Sequence, residues 1–328
     1  MIVCIQSAYK MEGHWDLIIV DEAHRSLSPK YRAMYTGLTC EYLMCLTATK
    51  PKDMEYLEFL QSVAPIVYEK RLLEAVAEEV LPKFKVINME VPFHRASAGR
   101  YRIFDQQFRE AVIAINRFRG KYPELRKYKS VFDLAKDFKV YRRVDEFTEL
   151  GKEARKFWSA MTMRKYAVYN NLHKIDIAVK IVNAYPERKW ILFCKSINFA
   201  TTLASRIPGA LLYHSELKTP EKKAILRQNA EAERGVLVAV DALNEGYNVE
   251  NIDAAICLSG VSTELVNIQQ LGRTLRPKQN IPLFINFYTK DSVEEGWVNE
   301  KTKGLGGAVT WLNSEKKGDL KQELSSFI

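Results

Sequence analysis

The chain has no apolar run that approaches the length of a membrane span, so no membrane-crossing helix is expected from its 328 residues. Met1-Ile2-Val3-Cys4 is not a basic stretch followed by a long apolar core, so no export signal is visible and a cytoplasmic location is expected. Cysteine is sparse. Its five copies (Cys4, Cys40, Cys45, Cys194 and Cys257) are scattered, and only Cys40 and Cys45 lie close together. No second Cys/His pair completes a zinc site, and free thiols in a reducing compartment are the expected state. There is no internal repeat and no low-complexity segment, which excludes a solenoid or a disordered linker protein.

What the chain does have is the composition of a soluble globular protein, 47% hydrophobic and 27% charged, at a length that suits about two domains. Its net charge of +9 is unevenly placed. Residues 95–165 hold 19 Lys/Arg against 9 Asp/Glu, while the rest of the chain holds 30 against 31. A concentrated basic surface is what a nucleic-acid backbone requires of a partner, although solvated basic helices share the pattern.

The stretch Leu17-Ile18-Ile19-Val20 reads as a buried parallel strand, and Asp21-Glu22 follows where that strand ends. The carboxyl edge of an open α/β sheet is where ligands bind. Around it, residues 2–6, Tyr42–Leu46, Ile66–Tyr68 and Phe84–Val91 read as strands. Lys52–Leu60 and Leu72–Glu79 read as helices, and Ser28-Pro29 fits a helix start. Strand signals fade from about 95 to 184, where Phe104, Phe108, Val112 and Ile115 mark a helical apolar stripe. That stripe is expected to be a helical core rather than a base-stacking platform. Residues 173–184 form a clear amphipathic helix. Strands are then expected at Trp190–Cys194, Ala210–Tyr213, Val236–Val240, Ala254–Leu258 and Leu283–Phe287. Helices are expected at Asn198–Arg206, Pro220–Asn229 and Glu264–Leu271, giving a second parallel sheet. The stretch after Lys290 is weakly patterned, and Gly304-Leu305-Gly306-Gly307 reads as a turn.

Several motifs together carry a resemblance. Asp21-Glu22-Ala23-His24 resembles the DEAH-type Walker B motif of superfamily 2 helicases and translocases. Leu46-Thr47-Ala48-Thr49 sits where their third motif falls, and Gln6-Ser7 where motif Ib would lie. Ile191–Cys194, with Lys195 beyond it, resembles the motif IV strand. Val236–Asp253 resembles motif V, with Glu245-Gly246-Tyr247-Asn248 at its centre. Gln269-Gln270-Leu271-Gly272-Arg273-Thr274-Leu275-Arg276 fits Gln-x-x-Gly-Arg-x-x-Arg at all four defining positions.

The resemblance implies an α/β protein with two RecA-like parallel-sheet lobes, the first incomplete at its N-terminus, and a helical basic insertion. It divides the chain into 1–92 (lobe one, motifs Ib, II and III), 93–170 (basic helical insertion), 171–290 (lobe two, motifs IV, V and VI) and 291–328 (C-terminal tail). It also implies an ATP-dependent DNA helicase or translocase with ATP and Mg²⁺ as cofactors, of the restriction-type or phage-like kind. Such a motor would act in replication, repair or recombination, in a bacterial or phage-infected cytoplasm. Asp21 would hold the metal through water, and Glu22 would orient and deprotonate the attacking water. Gln269 would sense the γ-phosphate, and Arg273 and Arg276 would act as arginine fingers. Gly246, Asn248 and Gly272 would line the nucleotide side. His24, Thr47 and Thr49 would couple nucleotide closure to movement. Gln6, Ser7, Lys195, Arg142 and Arg143 would contact nucleic acid.

Two departures stand out. Many family members carry Asp at the position of Asn248 and Thr at that of Val240. There is also no Gly-x-x-x-x-Gly-Lys-Ser/Thr loop anywhere, so no backbone cradle for the β-phosphate. A second polypeptide supplying that loop, or a truncation, is therefore expected, and DNA is the expected nucleic-acid partner. The alternatives are a catalytically inactive nucleic-acid-binding or regulatory subunit and the motor fragment of a restriction enzyme. No nuclease constellation is visible in the chain.

Overall fold

A computed structural model describes residues 1–328 apart from 48–49, 52, 142, 241–251, 261–280, 316–323 and 326–328. Its described residues fall into two compact units, one ending at Leu81 and the other beginning at Pro82.

The first unit is built on two parallel strands, β1 (Gly13–Val20) and β2 (Leu38–Cys45), paired from Gly13 with Leu38 to Val20 with Cys45. Between them run a 3₁₀ turn (Ala23–Ser26) and two single-turn helices, α2 (Pro29–Arg32) and α3 (Met34–Gly37). Pro29 occupies the first turn of α2 behind Ser28, where its missing N–H costs nothing. Helices α4 (Met54–Val63) and α5 (Leu72–Ala77) follow β2. Asp53 caps α4 by accepting the Glu55 N–H at 2.9 Å. Side chains alternate along a strand, so β1 and β2 have two faces. One face, with Ile18, Val20, Leu43 and Cys45, packs on Ala23, Leu27, Met34 and Leu60. The other leaves Leu17, Ile19, Tyr42 and Met44 exposed.

Two strand expectations fail in this unit. Residues 2–6 contain no strand; Ile5–Ala8 form a helical turn, α1, in which the Cys4 carbonyl accepts from Ser7 and Ala8. An apolar run becomes a strand only beside a ladder partner, and among the described residues β1 pairs with β2 alone. Residues 66–68 likewise form no strand, and Ile66, Val67 and Tyr68 are exposed.

The second unit contains a seven-stranded sheet in the order β5-β6-β4-β7-β8-β3-β9, parallel throughout. Its strands are β3 (Lys85–Glu90), β4 (Lys189–Cys194), β5 (Leu211–Tyr213), β6 (Gly235–Val240), β7 (Ala254–Cys257), β8 (Leu283–Tyr288) and β9 (Val309–Asn313). The inner strands β4, β7 and β8 are buried along their whole length, as continuous apolar runs in a parallel sheet should be.

Here the boundary at 92 needs correction. Lys85–Glu90 pairs with Leu283–Tyr288 on one side and Val309–Asn313 on the other, so residues 82–92 belong to the second unit. Strand pairing is set by which apolar faces meet, not by nearness in sequence, and Val86, Ile87 and Met89 are buried in the second core. The weakly patterned C-terminal stretch is also part of this unit. It supplies helix α12 (Val293–Thr302) and the edge strand β9.

Between β3 and the rest of the sheet rises a helical projection: α6 (Arg95–Lys121), a 3₁₀ turn (Pro123–Lys127), α7 (Val131–Phe138) and α8 (Thr148–Tyr169). Its 27-residue first helix is about 40 Å long at 1.5 Å per residue. Ala111, Ile115, Leu125, Leu134, Leu150, Ala154 and Phe157 form its own small core, with Phe108 and Val112 packed against it. Phe108, Val112 and Ile115 of the stripe are thus core, as expected, whereas Phe104 is not part of this cluster. Gly151 permits a close approach at this core, since a Cβ there would lie 3.2 Å from the Tyr141 carbonyl.

Asn171 ties the root of the projection together. It accepts the His94 N–H at 2.8 Å and donates to the Pro92 carbonyl at 2.9 Å, joining entrance to exit. Helix α9 (His173–Ala184) then leads back into the sheet, followed by α10 (Ile197–Ser205) after β4 and α11 (Thr219–Glu231) after β5. Among the described residues no helix is long and apolar enough to cross a membrane.

Candidate functional site

The aliphatic run of β1 ends at the buried Val20, and the chain turns sharply there. Glu22 makes that turn in the left-handed region, at φ 50° and ψ 45°, a conformation unusual for a residue with a Cβ. Its backbone N–H donates to Asp21 Oδ1 at 2.8 Å, so one lone pair of the Asp21 carboxylate is used locally. The Asp21 residue as a whole stays exposed at the carboxyl end of the strand.

Beyond the turn, Ala23 donates to the Leu46 carbonyl and Leu46 to the Val20 carbonyl, each at 2.9 Å. The β1–β2 ladder therefore continues past both strands and fixes the acidic turn against Leu46-Thr47. Side chains complete the link. His24 Nδ1 lies 2.9 Å from Thr47 Oγ1 and 3.3 Å from Glu22 Oε2. The opposite ring nitrogen, Nε2, is buried without a hydrogen-bond partner among the described residues. A proton on Nε2 would leave a charge there unsolvated, and burial duly lowers the His24 pKa despite the attraction of Glu22, with Arg25 adding to the fall.

Two residues that carried no signal in the sequence brace the turn from beneath. Ser26 Oγ donates to the Ala23 carbonyl at 2.6 Å and lies 2.6 Å from the Tyr35 hydroxyl. Tyr35 in turn stacks edge-on against Phe59, and burial pushes its phenol well above the usual range. Only the fold brings α3 beneath the turn, so no local pattern could have revealed this.

The structure thus brings together Asp21, Glu22, His24 and Thr47. Gln6 and Ser7 are exposed on the α1 turn rather than in a strand. Lys195 is half-buried directly after β4, ahead of Ser196, which caps α10. Arg143 is exposed between α7 and α8. Thr49, Arg142, Gly246, Asn248, Gln269, Gly272, Arg273 and Arg276, and the expected helix at 264–271, lie outside the described residues.

Among the described residues no group of three His, Cys, Asp or Glu side chains is placed to cage a metal ion. Mg²⁺ keeps several waters and takes one or two carboxylates plus phosphate oxygens. An exposed Asp21 with a neighbouring Glu22 offers that hard-oxygen set.

The first 52 residues match the family model described as "Type III restriction enzyme, res subunit", and residues 173–278 match the "Helicase conserved C-terminal domain". Over 304 residues, 89% of this chain, it is 26% identical to the DNA 3'-5' translocase XPB2 of Sulfurisphaera tokodaii. It spans 64% of that relative's length. Among solved structures it is similar to the Hef helicase domain of Pyrococcus furiosus, with 15% identity, TM-score 0.53, and 86% of this chain and 72% of that one covered. It is also similar to S. cerevisiae Dbp5 bound to RNA and ADP BeF3, with 11% identity, TM-score 0.56, and 98% and 66% covered. The parallel α/β architecture is that of two-lobed RecA-like helicase domains. These matches make the chain similar to the superfamily 2 helicases and translocases.

Proposed function

We propose that the chain is the part of an ATP-dependent DNA motor that carries the acidic strand end and the arginine motif. One observation carries this reading: the Asp21-Glu22 turn at the carboxyl end of a parallel strand, joined to the next strand's exit through His24 and Thr47. The relative bearing the name of a DNA translocase supports DNA as the track. Mg²⁺ and ATP, when bound, supply the transferable phosphoryl group and the cation that counters its charge. Asp21 would hold the hydrated metal, and Glu22 would orient the attacking water and take its proton. Gln269 senses the γ-phosphate, and Gly246, Asn248 and Gly272 line the nucleotide. Arg273 and Arg276 counter the charge that develops in the transition state; removing such a finger typically costs about 10³–10⁵ in rate. His24, with Thr47 and Thr49, passes the nucleotide's state from one strand end to the next. Gln6, Ser7, Lys195, Arg142 and Arg143 contact the DNA backbone.

The phosphate loop such a motor needs is not among these residues; a second polypeptide, or sequence outside these 328 residues, would supply it. The exposed face of β1 and β2, with Leu17, Ile19, Tyr42 and Met44, suits that role, because a parallel sheet is normally covered on both faces. The pure chain is then expected to turn over no ATP. Turnover by the chain alone sinks this arrangement. Tighter binding to RNA than to single- or double-stranded DNA at equal salt overturns DNA as the track. The absent Gly-Lys-Ser/Thr favours a second reading, a regulatory subunit without hydrolysis. Under that reading Glu22→Gln changes no activity of the assembled complex; under ours it abolishes ATP turnover.

A further inference from the structure

The basic excess is not spread along the helical projection. Residues 117–143 hold ten Lys/Arg against three Asp/Glu, whereas the remainder of 95–165 holds nine against six. This segment covers the last turns of α6, the 3₁₀ turn, α7 and the loop beyond it. Because α6 starts at the root held by Asn171, its far end stands about 40 Å away. The projection therefore carries its charge at its outer pole.

Ion pairing sharpens the contrast. Of the nine cations elsewhere in 95–165, four are ion-paired: Asp105 takes Arg109 at 2.8 Å and Arg164 at 2.7 Å, Glu110 takes Lys156 at 3.3 Å, and Glu149 takes Lys152 at 2.6 Å. At the pole, Arg117, Lys121, Arg126, Lys127, Lys129 and Lys136 are exposed, and none has a carboxylate partner among the described residues. Lys121 and Lys127 lie instead over the rings of Tyr122 and Tyr128, at 5.0 and 5.3 Å, which leaves their charge intact. The pole is also rigid enough to present these charges in a fixed pattern, since Leu125 and Leu134 anchor its turn and helix in the projection's core. Like charges gathered without counter-charges repel one another, and the partner that relieves this best is a dense, regular array of anions. Duplex DNA carries about one charge per 1.7 Å of axis.

We infer that the outer pole of the projection is a sequence-independent binding site of its own for the phosphate backbone of duplex DNA, about 40 Å along α6 from the root of the projection. This inference rests on the proposed DNA track but requires no nucleotide. It acts as an electrostatic tether, holding duplex about 40 Å from the root of the projection.

The test is nucleotide-free binding of the full chain to a random-sequence DNA duplex across a salt series. Arg117→Gln, Arg126→Gln, Lys127→Gln and Lys136→Gln together are expected to weaken binding about tenfold or more at 0.1 M salt. They should also lower the log–log salt slope by about 2–4. The paired-cation control, Arg109→Gln with Lys156→Gln, is expected to change the slope by less than about 1. Duplex binding by the wild type with an unaltered slope in the quadruple variant overturns the pole alone. An equal loss in the control overturns it too, as does tighter binding of the pole to phosphatidylserine vesicles than to duplex. A wild type that binds no duplex at any salt sinks the DNA reading itself. Circular dichroism of each variant separates lost charge from lost fold.

Discussion

Lys174 and Glu294 form an ion pair from which water is wholly excluded, with Lys174 Nζ 2.6 and 2.7 Å from the two carboxylate oxygens. Each partner also ties down a strand exit. Lys174 donates to the Leu258 carbonyl just beyond β7 at 2.8 Å, and Glu294 accepts the Thr289 N–H just beyond β8 at 3.0 Å. Removing one charge strands the other in the core, so Lys174→Met alone should destabilise the second unit by about 3–5 kcal/mol. The double change Lys174→Met with Glu294→Leu removes both charges and should recover most of that loss. Urea unfolding followed by tryptophan fluorescence measures both; a single variant as stable as wild type contradicts the assignment.

The second sheet was the most legible part of the chain. Its inner strands are uninterrupted apolar runs, and the helix expected at 173–184 has those bounds in the structure. Pairing was not legible. Phe84–Val91 has a clear strand pattern, but nothing local says that it pairs with Leu283–Tyr288 and Val309–Asn313 rather than with its neighbours. The short edge strand β9, half-exposed and bearing Trp311, has no alternation to betray it. At the candidate site, Asp21 and Glu22 announced themselves as carboxylates at a strand end. The meeting of His24 with Thr47 was suggested only by family resemblance. The Ser26–Tyr35 brace had no signal at all, because it depends on where α3 lands.

The bare face of the two-stranded sheet makes a prediction about behaviour in solution. Leu17 pairs with Tyr42 and Ile19 with Met44 across the ladder, so the four exposed side chains form one contiguous apolar patch. Neither strand carries proline or lysine to blunt its edge. Leu17→Thr with Met44→Thr should lower dye binding by the isolated chain and raise its solubility limit, because threonine keeps strand propensity while removing apolar surface. Unchanged self-association, measured by light scattering, counts against an open face.

Asp105 joins α6 to α8. Burial by itself would raise its pKa, but hydrogen bonds from Arg164 and Arg109 and their charges outweigh that and hold it below the ordinary 3.8. A carboxylate depressed in the fold contributes stability that is fully present above its unfolded pKa and is lost as pH falls through the folded value. The projection should therefore loosen below about pH 3.8, and Asp105→Asn should flatten that acid limb while lowering stability at neutral pH. Helicity followed during acid titration shows whether the limb belongs to Asp105.

Glu22 occupies left-handed backbone space that a Cβ makes costly, by roughly 1–2 kcal/mol. Glu22→Gly should therefore leave the first unit as stable as wild type or more so, while abolishing ATP turnover by the assembled motor. Gain in stability with loss of activity marks strain kept for chemistry. A clear loss of stability in thermal unfolding shows instead that the carboxylate holds the turn together.

His24 gives a pH dependence of the opposite origin to an exposed imidazole. With the neutral ring's proton on Nδ1, facing the Thr47 hydroxyl and the Glu22 carboxylate, further protonation falls on the buried Nε2, which burial opposes. Its folded pKa lies below 6.5, so between that lower value and 6.5 the unfolded chain binds more protons than the fold. The stabilising contribution is thus fully present above about pH 6.5 and is lost as pH falls through the folded value. In the assembled motor, the charge that protonation places on the buried Nε2 should disturb the packed turn that carries Asp21 and Glu22, so ATP turnover should drop over the same acidic range. His24→Asn keeps a polar side chain at the Nδ1 position and cannot titrate. It should remove this acid dependence from both stability and turnover, with at most about 1 kcal/mol of cost at neutral pH for a weaker hydrogen bond. Imidazole proton shifts followed by NMR place the titration directly, and a His24 that titrates above 6.5 overturns the buried-Nε2 explanation.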